Sequence, residues 1–184
     1  MKKGRLIVIS GPAGTGKGTV VNGLMERERY ALSVSATTRA PRGFEQDGIN
    51  YFFKTVEEFE EMIKNGEFLE YAKFVDNYYG TPKKYVLDKL EEGKNVLLEI
   101  EVQGALQVKK NYPDATLIFL LPPSMDELES RLRGRATDSE ETILKRLARA
   151  EEEMSYKDKY DYQVVNLEVE QAVEEIENII NNLK

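Results

Sequence analysis

The residues with the clearest chemical potential come early. Lys17 closes the run Gly11-Pro-Ala-Gly-Thr-Gly-Lys17, a G-x-x-x-x-G-K spacing. Gly11, Gly14 and Gly16 permit positive φ, so successive backbone N–H groups can curl round a phosphate oxygen. The lysine adds a mobile point charge for the outer phosphates of a polyphosphate chain. Pro12, Ala13 and Thr15 complete the turn, and Gly18 stands where Ser or Thr usually offers magnesium a hydroxyl. Thr19, one position on, keeps a hydroxyl nearby. Residues Gly11–Thr19 thus read as a P-loop, which binds a polyphosphate nucleotide.

A P-loop alone does not choose between hydrolysis, transfer and regulation. A GTPase should also carry an N-K-x-D base-reading motif; none occurs, although Glu101-Val-Gln-Gly104 faintly resembles a D-x-x-G switch. A P-loop kinase needs a second anionic site and cations that neutralise the moving charge. The candidate is Ser35-Ala-Thr-Thr-Arg39-Ala-Pro-Arg42. Its two arginines, with Ser35 before them and Tyr51 and Tyr79 later, could surround a phosphate monoester through planar, paired hydrogen bonds. Taken alone, the same Arg-x-x-Arg also fits a solvated surface loop. Glu99 ends the apolar run Val96-Leu-Leu98, a place for the acid that orients the hydration shell of magnesium, or for a solvated strand-end charge.

The elements that must position these groups follow from the apolar pattern. Leu6–Ile9, Ala31–Val34, Val96–Ile100, Thr116–Leu121 and Tyr162–Val165 read as buried strands separated by helical stretches, so a parallel α/β sheet is expected. Val20, Val21, Leu24 and Met25 continue the P-loop as a helix, which adds its N-terminal donors to the phosphate site. Ligands in such sheets sit beyond the strand ends, and Ser35–Arg42 leaves the second strand there. Val169, Ala172, Val173, Ile176, Ile179, Ile180 and Leu183 form a helical stripe that should lie on the sheet.

Two regions break the alternation. Residues 35–80 read as a small α+β insertion: a Gly-rich charged turn, a helix with a capping box at Thr55 and Glu58, then strand-like Phe68–Val75 and Asn77–Gly80. Residues 125–156 read as a charged helical lid, with Ser124 and Glu127 as a second capping box, and arginines at 131, 133, 135, 146 and 149. Gly134 to Ser139, the break between its helices, reads as a hinge or loop. The remaining segments, about 1–34, 81–124 and 157–184, make the core. Thr81 precedes Pro82 and an amphipathic run ending at Gly93, which is where a helix N-cap belongs.

Composition narrows the chemistry. The 184 residues suit one domain. Net charge is −7 with no basic stripe, which argues against a nucleic-acid groove. There is no Cys and no His, so thiolate catalysis, a Ser-His-Asp triad and imidazole metal sites are excluded. No apolar run approaches the roughly 20 residues of a membrane span, and no signal peptide is read at the start. A cytoplasmic protein is expected.

Gly11–Thr19, Ser35–Arg42, Tyr51, Glu70, Asn77-Tyr-Tyr-Gly-Thr81, Glu99-Ile-Glu-Val-Gln-Gly104, Leu121-Pro-Pro123 and Arg131-Leu-Arg-Gly-Arg135 occur together, in order, over about residues 4–183. In this the chain resembles the guanylate kinase family. The resemblance implies a P-loop NTPase-like α/β fold, its parallel five-stranded core sheet flanked by helices, with a GMP-binding insertion and a helical lid. It implies that Ser35, Arg39, Arg42, Tyr51 and Tyr79 hold the phosphate of GMP, and that Glu70, Thr81 and Glu101 read guanine. Thr81 is left with two roles, cap and guanine contact. A carboxylate at Glu70 suits guanine's ring N–H and amine, and adenine, with reversed polarity, would leave those partners unpaired.

By the same resemblance Arg135 and Arg146 are lid arginines, with Arg131 and Arg149 secondary. Helical arginines also pair with glutamates, and Glu140, Glu141 and Glu151–Glu153 are near in sequence. Departures from the family are Glu99 and Glu101 where aspartate is common, and Ala136 where glycine is common. The expected reaction is ATP:GMP phosphotransfer, with ATP as co-substrate. Lys17, Arg39, Arg135 and Arg146 would be catalytic, and Mg2+ would be met by Thr19 and Glu99, mostly through water. Rival readings are another nucleoside monophosphate kinase, with AMP as acceptor, and a non-catalytic guanylate-kinase-like protein-binding module. Partners are expected to be GMP and ATP alone, without nucleic acid or membrane, in a monomer or weak homo-oligomer.

Overall fold

A computed structural model describes residues 3–134 and 139–183. The elements in chain order are β1 (Leu6–Ser10), α1 (Lys17–Met25), β2 (Tyr30–Leu32), β3 (Ala36–Thr37), β4 (Phe52–Phe53) and α2 (Val56–Lys64). Then come β5 (Phe68–Phe74), β6 (Asn77–Pro82), α3 (Lys83–Glu91), β7 (Asn95–Glu99), α4 (Val102–Asn111) and β8 (Thr116–Leu121). The chain ends with α5 (Met125–Arg133), α6 (Glu140–Met154), β9 (Tyr162–Val165) and α7 (Val169–Asn182).

Five strands form a sheet in the order β2-β7-β1-β8-β9. Three neighbouring pairs run parallel, and between β1 and β7 the backbone bonds Val96 N–H to Arg5 O and Ile100 N–H to Ile9 O keep one offset, as parallel strands do. The five expected strands are these five. Thr116–Leu121 and Tyr162–Val165 fall on their expected bounds, but the latter is not the buried strand expected: it is an edge strand and only its Val164 is buried. The second strand, expected over Ala31–Val34, covers Tyr30–Leu32 instead. Its last ladder bond is Ser33 N–H to Leu97 O at 2.9 Å, after which the chain leaves for a second, four-stranded sheet, β4-β3-β6-β5.

By contact density the chain divides into two compact units. One holds the described residues of Met1–Leu6, Arg29–Leu98 and Gln103–Ala115. Its small sheet is mostly antiparallel and packs on α2, whose N-terminus carries the full capping box expected from Thr55 and Glu58. Phe59 on α2 is fully buried and stacks on Phe68 and Tyr78, with ring centroids 4.3 and 5.2 Å away. Thr81 is not the cap of α3: Pro82 takes that position without a side-chain bond, and Thr81 belongs to β6.

The other unit holds the described residues of Ile7–Glu28, Glu99–Val102 and Thr116–Lys184. Every residue of β1 is buried, as is nearly all of β8. Helix α7 lays Ala172, Val173, Ile176 and Ile180 inward, as the stripe predicts. It comes so close to α1 that a Cβ at Gly23 would stand 2.9 Å from a Val173 methyl. Helices α5 and α6 share a cluster of Leu128, Leu132 and Ala150. The Ser124 cap of α5 is half a box, because the Glu127 carboxylate pairs with Arg131 at 2.9 Å.

Candidate functional site

In the second of these units the P-loop joins β1 to α1. Gly11 presses against β8, where a Cβ would meet the Leu120 carbonyl at 2.3 Å. Gly16 has φ 86°, and a Cβ there would sit 2.6 Å from the Asn166 amide nitrogen, so only glycine fits. Asn166, just past β9, is the residue that sequence reading missed: its buried Nδ2 donates to Thr15 O at 2.7 Å and pins the loop. Thr15 is itself buried, its hydroxyl donating to Pro12 O at 2.8 Å. No local pattern marks Asn166, because its partner is 151 residues away.

Lys17 starts α1 and folds back over the loop, donating to Gly11 O at 2.5 Å and Pro12 O at 3.1 Å. Burial pushes its pKa below the ordinary lysine value, against the opposing pull of Glu99, Glu101 and Glu153. Lys17 lines a cavity of about 260 Å³ with Ala13, Glu101, Arg146, Arg149 and Glu153. Of the lid arginines, Arg146 is therefore brought to the P-loop lysine. Arg149 is there too, but its guanidinium pairs with Glu101 and with Glu153 at 3.0 Å. These carboxylates raise the Arg149 pKa, Glu101 most, while burial raises that of Glu153. Arg131 reaches Glu127 and the Asn166 carbonyl, and Arg133 joins Glu129 to Glu140; both are structural pairs. Arg135 and Ala136 lie outside the described residues.

Glu99 ends β7 with its carboxylate exposed. A Cβ on Gly18 would be 3.8 Å from both of its oxygens, so the glycine leaves room beside an acid, and Thr19 is exposed next to it. The described residues contain no cluster of three or more acids that could cage a metal by themselves. One carboxylate beside a phosphate cradle does suit Mg2+, which keeps most of its waters and binds through one or two carboxylates and substrate phosphates.

The first unit holds Ser35, Arg39, Arg42, Tyr51, Glu70, Tyr79 and Thr81. Half-buried Ser35 accepts the Phe52 N–H at its carbonyl, 2.9 Å, where β3 meets β4. The Arg39 guanidinium lies over the Tyr51 ring, 5.4 Å from its centroid, and the Tyr51 and Tyr79 rings meet edge-on at 6.3 Å. Arg42 is exposed on the same turn. Glu45, absent from the sequence reading, forks onto Arg39. Each partner moves the other's pKa, the arginine up and the carboxyl down, chiefly through that hydrogen bond.

Glu70 on β5 is buried and accepts the Thr81 hydroxyl at 2.6 Å. Burial raises its pKa, and the two hydrogen bonds from Thr81 only partly offset that. The strand around it is held from α4: Gln107 accepts the Tyr71 N–H at 3.2 Å, and Asn111 donates to Leu69 O at 2.8 Å. Glu101, which the resemblance groups with Glu70 and Thr81, is paired with Arg149 in the other unit. The chemistry present is thus a polyphosphate cradle in one unit, and an arginine–tyrosine cluster with a buried carboxylate–hydroxyl pair in the other.

The family model for guanylate kinase matches residues 3–183. A guanylate kinase of Caldanaerobacter subterraneus subsp. tengcongensis is 57% identical over 180 residues, covering 97% of this chain and 87% of that protein. One from Clostridium acetobutylicum is 52% identical, with 97% and 86% covered. Among solved structures, a guanylate kinase from Anaplasma phagocytophilum superposes with a TM-score of 0.73 at 36% identity, covering 98% of this chain and 86% of that one. A shikimate kinase from Bacteroides thetaiotaomicron, 15% identical with a TM-score of 0.52, shares the fold; 96% of this chain and 98% of that one are covered.

Proposed function

This chain belongs to the guanylate kinase family, and from that premise we propose that it transfers the γ-phosphoryl group of ATP to GMP, giving ADP and GDP. The observation that carries the choice of acceptor is the buried Glu70–Thr81 pair. A buried carboxylate offers two acceptor oxygens to guanine's ring N–H and amine, and an adenine in its place would leave it unpaired.

On this reading a phosphate oxygen of GMP attacks the γ-phosphorus in line, and the bond to the β-bridging oxygen breaks. The P-loop amides of Gly11–Thr19 and Lys17 hold the donor phosphates. Ser35, Arg39, Arg42, Tyr51 and Tyr79 hold the acceptor phosphate, and Glu101 joins Glu70 and Thr81 at the base. Arg39, Arg135 and Arg146 spread the developing negative charge, the role that makes an arginine worth roughly 10³–10⁵ in rate in related chemistry. Mg2+, when bound, neutralises charge on the phosphates; Glu99 and Thr19 would meet it, mostly through its waters. Residues 35–80 then act as the GMP-binding part, 125–156 as the lid, and the rest as the core. Closing these parts would exclude water, a competing acceptor.

The protein would work in GMP recycling in the cytoplasm, as a monomer or weak homo-oligomer with no nucleic-acid partner. Among the described residues no helix is long and apolar enough to cross a membrane. The test is ADP release in a coupled assay with GMP, AMP, dTMP and UMP as acceptors, and Lys17→Ala as control. GMP should be preferred; a preference for AMP would defeat the reading.

A further inference from the structure

Glu45 is the group beside Arg39 to which the mechanism above gives no task. Its carboxylate meets the guanidinium end-on, with Nη1 donating to Oε2 at 3.0 Å and Nη2 to Oε1 at 2.9 Å. The same Oε2 accepts the Arg42 backbone N–H at 2.7 Å, and Glu45 N–H returns a bond to Arg42 O at 2.8 Å. Nη1 also donates to the Ala40 carbonyl at 2.7 Å. The pair is well shielded, its side chains keeping 13% and 16% of their accessible surface.

The donor count shows what this leaves. A guanidinium carries five N–H donors. Glu45 and Ala40 engage both hydrogens on Nη1 and one on Nη2, so Nε–H and the second Nη2 hydrogen form the edge turned away from Glu45, with the Tyr79 side chain as the guanidinium's other hydrogen-bond neighbour. That edge is the geometry in which arginine gives two parallel bonds to a phosphate. Tyr79 is another of the groups assigned to the same phosphate. Contact with Glu45 therefore does not use Arg39 up. It fixes the plane of the guanidinium, against the Tyr51 ring on its face, and determines which edge other partners can meet.

We propose that Glu45 is a positioning residue for the acceptor phosphate, holding Arg39 and the main chain at Arg42 as a clamp formed before GMP arrives. The proposal rests on the GMP reading above. A clamp already in place loses less freedom on binding, so the effect belongs in acceptor affinity. The opposite role, an internal anion that competes with phosphate for Arg39, predicts the opposite sign.

Steady-state kinetics of the wild type, Glu45→Ala and Glu45→Gln separate them. Glu45→Ala should raise the KM for GMP roughly 10- to 100-fold, as misplaced substrate-holding groups do. KM for ATP should stay within about twofold, and kcat should fall by a smaller factor than the KM for GMP rises, because Arg39 holds the acceptor phosphate in the ground state as well as in the transition state. Glu45→Gln keeps one acceptor oxygen and should fall between, which carries the test if the alanine variant does not fold. A KM for GMP that is unchanged or lowered in the variants overturns the assignment of Glu45 alone. Wild-type protein that does not phosphorylate GMP overturns the acceptor reading, and this proposal with it.

Discussion

Thr81 gives the one proton of its hydroxyl to the Glu70 carboxylate, 2.6 Å away, and both side chains are buried. The hydroxyl can donate to a guanine carbonyl only by releasing that bond. The carboxylate is therefore the group through which base recognition should be tested first. Replacing Glu70 by Gln turns one acceptor into a donor facing guanine's own donors. We expect kcat/KM for GMP to fall roughly 10- to 100-fold, the worth of a hydrogen bond to a charged group, measured in the acceptor assay.

The same change should make the protein more stable. Folding raises the Glu70 pKa because burial disfavours the charged form. A raised carboxyl contributes stability that is complete below the unfolded value and is lost as pH climbs through the folded one. Ionising Glu70 in the folded protein thus carries a cost that Gln removes. Glu70→Gln should melt ~2–4 °C higher at pH 7, the shift expected from about 1 kcal/mol in a chain of this size. The difference should shrink toward pH 4, and thermal melts across that range check it. GMP affinity of the wild type should weaken as pH falls through the same raised value.

Lys17 presents the cationic counterpart. Its pKa is pushed down by burial, so its ammonium is also held against a desolvation cost. Lys17→Ala should melt no lower than the wild type without nucleotide, yet lose nearly all turnover. ATP at 100 times its Kd should stabilise the wild type by about 2.7 kcal/mol and the variant by far less. Calorimetric scans with and without ATP decide this.

The arginines of α6 should separate in kinetics. Arg146 and Arg149 both line the cavity of Lys17, and the Arg149 guanidinium is paired there with Glu101 and Glu153, which neutralise it. Arg146→Ala should reduce kcat about 10³-fold, within the range for a transition-state arginine. Its KM for GMP should change little, and Arg135→Ala should behave alike. Arg149→Ala should cost about tenfold or less. Equal turnover in wild type, Arg135→Ala and Arg146→Ala would remove both from the catalytic set.

Stability of the small-sheet unit should depend on one ring. Phe59 is fully buried between Phe68 and Tyr78, so Phe59→Ala should cost ~3–5 kcal/mol. Urea unfolding measures it.

What could be read in the sequence was what is local. The P-loop is a strand, a turn and a helix within residues 5–25, so spacing alone revealed it. The five core strands, the Thr55 capping box and the α7 stripe were legible for the same reason, though β2 and β9, at the sheet's edges, are less buried than their apolar runs suggest. Contacts between distant segments were not. Asn166 meets Thr15 across 151 positions, and Gln107 and Asn111 reach β5 across 36 and 42. Thr81 has the local signature of a cap, but pairing with β5 keeps it in a strand and turns its hydroxyl to Glu70. Glu45 was within reach, three residues after Arg42, yet a glycine-rich turn has no periodicity to show where its carboxylate points.

The inward turn of Lys17 onto Gly11 and Pro12 has one more consequence. Asn166 pins the ring of amides at Thr15, and the Lys17 ammonium acts as a second tether, strung across the loop's own carbonyls. When nucleotide arrives the tether can swing from oxygens of the chain to oxygens of the guest, so one cation serves as scaffold and then as ligand.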